Sequence, residues 1–370
     1  MKKIFTLLVL CVLCVFCAIG FTACDNTDTN TNNPLPNNTI QPTNNTPSSE
    51  NNNPSTTYYT VTFNSDGGTR IAPIQVEESK KCPTPDTPQK IGYTLDGWYV
   101  GNEQWSFIGY TVTEDITLTA KWSIDESYLD IFDWEKIDNK YTINGIKDKT
   151  VTYITIPDYI TNIGNKAFEN CNNLSYINIG EGITSIGSLA FYNCNKLRNL
   201  FYYGTASQWA QIEGLAEIIG YPRNLYIITE NQIEIKSLNE IVLENITEIK
   251  PFAFAYCCTS LNDVTIKNGI KIIGEKSFEY CINLHNITIP NSVTTIGSAA
   301  FFQCLSLKNI TIPNSVTRIE NGAFARCPSL IQINFVGTKE QWDAIDKDNN
   351  RWADGSSITQ IICTDGTIDL

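Results

Sequence analysis

The chain has 370 residues, enough for two or three domains, and a hydrophobic share of 42% that can fill their cores. Its 39 acidic against 26 basic side chains give a net charge of −13. No basic block beyond Lys2-Lys3 offers phosphates a positive footprint, which argues against a nucleic-acid partner. One histidine, His285, leaves little material for acid–base or histidine-ligated metal chemistry.

In chain order, Lys2-Lys3 and the apolar run 4–21 read as a secretory signal peptide over residues 1–23. The run ends in Phe21-Thr22-Ala23-Cys24, small residues directly before a cysteine. This resembles the bacterial lipobox, with Phe21 where leucine is usual. The resemblance implies cleavage before Cys24, lipidation of Cys24, and an exported chain anchored by its lipid to the bacterial cell membrane, exposed at the cell surface. The alternative is an uncleaved membrane helix, since 18 apolar residues nearly span a bilayer. Residues 24–57 are almost all Asn, Thr, Pro, Ser and Asp. They have no apolar face to offset the entropy of ordering, so a disordered tether is expected.

Residues 58–122 alternate in short β-rich runs bounded by Gly and Pro, the pattern of a small β module. Val61-Thr62-Phe63-Asn64 with Gly67-Gly68-Thr69, Gly92-Tyr93 with Asp96-Gly97-Trp98-Tyr99, and 115–122 resemble the Listeria–Bacteroides repeat, also called the internalin B-repeat. Leu95 and Glu77-Glu78 are mild departures. The resemblance implies a β-grasp-like module that acts as a spacer or a weak binding unit. Trp98, Trp105 and Trp122 offer either a sugar-stacking platform or, in so small a module, its core.

Residues 123–150 join the module to the remainder of the chain, with Tyr141-Thr142-Ile143-Asn144-Gly145 as an edge strand that caps the array. From 151 the chain repeats itself. Cys281, Cys304 and Cys327 fall 23 residues apart, as do Phe278, Phe301 and Phe324, and Leu284, Leu307 and Leu330. A fixed period of this size marks a solenoid whose coils bury their apolar faces against their neighbours. Two repeats occupy 151–229 and four occupy 230–370, the first of the four degenerate. Each block ends in Gly-Thr-x-x-Gln-Trp, at Thr205–Gln208–Trp209 and at Thr338–Gln341–Trp342. Thr-x-x-Gln is a capping box, so a short helix is expected there, with its tryptophan over the last coil.

Within one repeat, Ile310 and Ile312 point inward and their neighbours outward; Pro313-Asn314-Ser315 turns the chain, and Ala323-Phe324 should return as a helical turn. Over about residues 141–370 this repeat resembles the BspA-type leucine-rich repeat. That implies a curved, non-catalytic solenoid for adhesion or protein–protein contact. The expected fold is a β-rich leucine-rich-repeat solenoid of about six 23-residue repeats in two blocks, preceded by a small β-grasp-like module. Cys171, Cys194, Cys257, Cys281, Cys304 and Cys327 form one inner column. Core thiols, disulfides and a metal site are open readings; side chains that run parallel disfavour disulfides. Cys82 and Cys363 lie outside the column.

The outward strand positions supply the candidate binding face: Tyr176, Asn178, Asn199, Asp263, Thr265, Asn286, Thr288, Asn309, Thr311, Gln332 and Asn334. An Asn column beside a Thr column suits an extended protein, or a glycan, held by many weak hydrogen bonds. The same residues also serve merely to keep a β face soluble. No cofactor, metal site or catalytic set is expected. Carboxylate pairs exist at Asp125/Glu126 and Asp343/Asp346, but they sit in a linker and a cap helix. A structural envelope spacer without a soluble ligand is the competing reading.

Overall fold

A computed structural model describes residues 56–218, 224–228, 240–256, 261–348 and 351–370; the leader, Cys24, the tether to residue 55, Cys257 and Cys258 lie outside them. The alternating run that opens the described chain makes five strands, β1 (Tyr58–Asn64), β2 (Ile74–Glu77), β3 (Tyr93–Val100), β4 (Glu103–Gln104) and β5 (Ile116–Ile124). They lie in the order β2-β1-β5-β3-β4, with β1 and β5 parallel at the centre, as in a β-grasp sheet. The segment 78–92 that links β2 to β3 is non-helical. Val61, Phe63, Val76, Trp98 and Leu118 fill its core. Trp98 meets Phe63 edge-on at 5.0 Å, and the Trp122 indole donates to the Ser65 carbonyl at 3.0 Å. All three tryptophans belong to or pack on this core, not on an open platform.

Asp125 caps a 3-10 turn (Glu126–Ile131), which leads into the hairpin β6 (Phe132–Ile137) and β7 (Lys140–Ile146). Strand β7 pairs in parallel with β9 (Ile160–Ile163), so the hairpin walls off the N-terminal end of the solenoid with Leu129 and Phe132 buried beneath it. The β module rests on the first coil through its Gly92-Tyr93 corner. The Tyr93 hydroxyl donates to Asp158, Lys90 pairs with Asp158 at 3.6 Å, and the Tyr93 ring meets Tyr159 at 5.3 Å. A Cβ on Gly92 would lie 2.7 Å from the Tyr159 ring, so only glycine allows this approach. Asp158-Tyr159 replaces the Asn-Ser found in later turns, at Asn291-Ser292 and Asn314-Ser315.

Each coil contributes one strand to a main sheet and a second, shorter strand to a side sheet. In the first block β8 (Tyr153–Ile156), β10 (Tyr176–Gly180), β12 (Asn199–Tyr203) and β13 (Asn224–Ile227) form the main sheet; β6, β7, β9 and β11 (Ser185–Ile186) form the side sheet. In the second block the main sheet runs through β14 (Glu240–Leu243), β16 (Asp263–Ile266), β18 (Asn286–Thr288), β20 (Asn309–Pro313), β22 (Gln332–Val336) and β24 (Gln360–Cys363). The side sheet comprises β15 (Glu248–Ile249), β17 (Ile272–Ile273), β19 (Thr295–Ile296), β21 (Arg318–Ile319) and β23 (Asp346–Lys347). The pairing register equals the sequence period: Asn309 opposes Gln332 and Ile310 opposes Ile333. Phe254, Phe278, Phe301 and Phe324 stack at 5.5, 5.4 and 5.3 Å along the axis.

The expected helical turn at Ala323-Phe324 is not helical. Each coil returns through a run of turns with two left-handed residues, such as Lys276 and Tyr280, Ala299 and Gln303, or Gly322 and Arg326. Left-handed backbone costs a non-glycine residue about 1–2 kcal/mol. The return lies in hydrogen bonding between coils. Every second N–H of the run faces the next coil: those of Lys276, Phe278 and Tyr280 donate to Ser298, Ala300 and Phe302 at 2.8, 2.9 and 2.8 Å, while those of Ser277 and Glu279 donate within their own coil to Gly274 and Lys276. A helix would spend the same donors within its own coil.

The cysteine column sits beneath this run and donates to it. Thiols of Cys194, Cys281, Cys304 and Cys327 reach the carbonyls of Phe168, Phe254, Phe278 and Phe301 at 3.1, 3.2, 3.3 and 3.1 Å. Each is therefore a core filler and also a rung between coils. Burial pushes the Cys327 thiol up to about 12 and the Cys304 thiol well above its ordinary range.

Both capping boxes form. Helix α1 (Ala206–Trp209) starts at Thr205, whose hydroxyl accepts from Gln208 N at 3.1 Å, and α2 (Lys339–Asp343) starts at Thr338 in the same way at 3.2 Å. Their surroundings differ. The Trp209 indole donates to the Ala253 carbonyl at 2.6 Å, Lys250 N donates to Ala210 O at 2.9 Å, and Glu244 N donates to the Ser207 hydroxyl at 2.9 Å. Helix α1 is thus a joint, and one apolar core runs from Leu129 to Cys363 through both blocks. On α2, exposed Glu340 and Asp343 stand where α1 has Ser207 and Ala210. There the turn ladder closes on the carbonyls of Arg351, Trp352 and Asp354, and β25 (Gly366–Asp369) runs antiparallel to β24.

Candidate functional site: the outward face of the main sheets

A strand buried on one side shows every second residue to the other. In the second block, Asp263, Asn286, Asn309 and Gln332 form one outward column, and Thr265, Thr288, Thr311 and Asn334 the next. Asn286, Thr288, Asn309 and Thr311 are exposed, and the other four are half-buried. Part of this hydrogen-bonding capacity is spent along the face itself. The Asn286 amide donates to Asp263 at 2.7 Å, and that of Gln332 to Asn334 at 2.8 Å. Among the described residues, no side chain partners Thr265, Thr288, Thr311 or Asn309. Those four are open donors and acceptors at coil spacing.

In the first block Tyr176, Asn178 and Asn199 also lie on the outward face, but their setting is aromatic. Tyr153 stacks on Tyr176 at 5.3 Å and 9°, and Phe201 stacks on Tyr226 at 4.8 Å and 12°. Tyr176 meets Phe201 at 6.3 Å and 89°, and Tyr203, 46% exposed, stands beside them on β12. Amides fill the gaps: Asn178 donates to the Thr155 hydroxyl at 3.1 Å, and Asn224 to Asn199 at 3.0 Å. Burial raises the Tyr176 phenol, so it stays neutral at ordinary pH. Tyr153, Phe201, Tyr203 and Tyr226 are absent from the sequence-derived face, which in this block names only Tyr176, Asn178 and Asn199. The signal was nevertheless present, because aromatics occupy columns that hold Asn and Thr in the other block.

Three of the four paired carboxylates are tied into the fold, and Asp343 is exposed on α2. Asp125 accepts from Ser127 N at 3.1 Å. Glu126 accepts from the Tyr141 hydroxyl at 2.5 Å and from Lys136 at 3.3 Å, which holds its carboxyl below its ordinary range. Asp346 pairs with Arg318 at 2.5 Å. His285 is exposed beside Asn286. Among the described residues there is no group of three or more His, Cys, Asp or Glu side chains placed to hold a metal ion.

Residues 144–258 and 247–348, more than half of the chain, match the BspA type leucine rich repeat region (6 copies). The chain belongs to the BspA-type leucine-rich-repeat family. Residues 59–121 match the Listeria-Bacteroides repeat domain. Among solved structures, this BspA-type chain is similar to a leucine rich cell surface protein from Faecalibacterium prausnitzii, at 23% identity over 55% of this chain and 69% of that one, with a TM-score of 0.32. It is also similar to a leucine-rich repeat protein from Bacteroides ovatus, at 20% identity over 63% and 69%, TM-score 0.35. Two proteins of Evansella cellulosilytica that carry membrane-protein names share 39% identity over 71 and 70 residues, 18% of this chain in each case. The chain spans 11% and 8% of the length of those two relatives.

Proposed function

We propose that this BspA-type chain is a non-catalytic protein of the cell surface that binds other proteins through the outward face of its main sheets. One observation carries the reading. Thr265, Thr288 and Thr311 stand in register with Asn309 in the adjacent column, the last three exposed to solvent and Thr265 half-buried, all without side-chain partners among the described residues. A ladder of unspent donors and acceptors at strand spacing, about 4.8 Å, suits an extended polypeptide, which presents its own polar groups at a short, regular repeat. On this reading the signal peptide 1–23 exports the chain and a lipid on Cys24 holds it to the membrane, with 24–57 as tether. Replacing Cys24→Ser should then move the chain from the membrane fraction to the soluble one; an unchanged distribution would remove the lipid anchor.

A structural spacer is the second reading, favoured by the hydrogen bonds that Asn286 gives to the Asp263 carboxylate and Gln332 to Asn334 within the face. Binding of the purified chain to an array of extracellular-matrix and cell-surface proteins separates the two. The variant Thr288→Glu/Asn309→Glu/Thr311→Glu is run beside it. Saturable binding that the folded variant loses supports recognition; no binding by the parent to any member supports the spacer.

A further inference from the structure

We infer that the aromatic strip on the first block is the anchor of the recognition face, and that its partner is a protein segment carrying uncharged apolar side chains. This rests on the protein-binding reading above and names where the binding energy lies and what kind of segment supplies it. The strip comprises Tyr153, Tyr176, Phe201 and Tyr226, with Tyr203 at its rim. Folding does not call for these rings. In β16, β18, β20 and β22 of the second block the same columns hold Asp, Asn, Gln and Thr, with aliphatic Val242 and Ile362 only on the flanking strands, and the strands there pair in the same way.

Three properties of the strip point to its occupant. First, it is neutral. The outward side chains interleaved with the rings are Thr155, Asn178, Asn199 and Asn224, in a chain whose net charge is −13. A charged partner would find nothing to pair with, whereas an uncharged one avoids the repulsion or desolvation it would meet elsewhere. Second, the rings are already ordered. Stacking between coils fixes their rotamers before anything binds, which removes much of the entropy cost of immobilising an interface. Third, the strip is not a flat sugar platform. Each stacked pair hides one face of each of its rings, and the strip turns through 89° between Tyr176 and Phe201. A pyranose ring needs an open, coplanar aromatic face. Tyrosine edges and hydroxyls set among amides are instead the make-up of protein-binding hot spots.

The test uses an array of synthetic 12-residue peptides, uncharged and rich in Leu, Pro, Tyr and Trp. Counterparts carry Asp or Lys at alternate positions, and cellohexaose and chitohexaose serve as neutral glycan probes. The full chain is compared with Tyr176→Asn/Phe201→Thr, which gives the strip the residue types of the second block, and with Tyr203→Ser, a change at an exposed rim position. Unfolding midpoints establish that each variant is folded. The expected result is binding of uncharged apolar peptides that falls about tenfold or more in the double variant and less in Tyr203→Ser. The Thr288→Glu/Asn309→Glu/Thr311→Glu variant should retain it. Equal binding by parent and double variant, preference for the charged peptides or the glycans, or no peptide binding by the parent overturns the inference. Loss confined to the Thr288/Asn309/Thr311 variant also overturns it but leaves the protein-binding reading standing.

Discussion

Ser277 lies wholly inside the solenoid, at 0% exposure, and its hydroxyl has no hydrogen-bond partner. The equivalent position in every other described coil is alanine: Ala167, Ala190, Ala253, Ala300 and Ala323, each at 1% exposure or less. A buried hydroxyl that loses water and gains nothing costs about 1–3 kcal/mol. Removing its oxygen forfeits only a few dispersion contacts of about 0.1–0.2 kcal/mol each. Ser277→Ala should therefore stabilise the chain by about 1–2 kcal/mol, or roughly 2–4 °C per kcal/mol for a unit of this size. The reciprocal change, Ala300→Ser one coil on, should cost a similar amount, because its surroundings are built the same way. Urea midpoints for both variants and the parent decide the matter, with slopes compared so that a change in cooperativity is not read as stability. A destabilised Ser277→Ala, or an Ala300→Ser as stable as the parent, would refute the view that an unpaired polar atom in the inner column costs stability.

Glu279, 8% exposed, has its carboxyl raised chiefly by burial. The folded state then binds its proton more tightly than the unfolded state, so stability is greatest below the ordinary value of 4.5 and falls as pH rises through the folded value. Glu279→Gln should leave the urea midpoint unchanged near pH 4 and raise it at pH 8; an equal shift at both contradicts the assignment. Asp158→Ala strands the Tyr93 hydroxyl and removes the ion pair of Lys90, which keeps its bond to the Asp66 carbonyl, and should cost about 1–2 kcal/mol at the junction. Proteolysis or hydrogen exchange should rise within 56–124 while the solenoid midpoint holds, and no change in either would show that the contact does not hold the module. Cys304→Ala removes a rung to Phe278 and should destabilise by about 1–2 kcal/mol. In the parent, Cys304 and Cys327 should resist a maleimide at pH 8 until the chain unfolds; rapid labelling of the folded chain would count against a closed column.

The solenoid was legible because its cause is written as a period. Residues 23 apart, such as Ile310 and Ile333, become neighbours in one ladder, so the repeat in sequence is the register in space. The capping boxes were legible for a local reason, since Thr205 and Gln208 satisfy each other within one turn. The left-handed turn run was not. Lys166, Leu189 and Phe252 have no preference for φ near +60°; the bonds that hold them there come from the next coil, and no single repeat shows them. The role of α1 was half legible. Ala206, Ser207 and Ala210 against Lys339, Glu340 and Asp343 distinguish a buried joint from a solvated end, but only once it is known what lies beyond Trp209. On the candidate face, alternation placed Tyr176 outward. That ring stacks on Tyr153 one coil back, while the other two rings of the strip flank the cap helix in sequence, Phe201 before it, edge-on to Tyr176, and Tyr226 after it, stacked on Phe201.

The central claim is that the outward face of the main sheets recognises protein. The most direct test is array binding by three proteins side by side: the parent, the face variant Thr288→Glu/Asn309→Glu/Thr311→Glu combined with Tyr176→Asn/Phe201→Thr, and a control with Asn195→Glu/Leu305→Glu. The control changes are exposed but lie off the strands. Saturable binding by parent and control that the folded face variant loses is the predicted result. Binding kept by the face variant, or lost equally in the control, would contradict it.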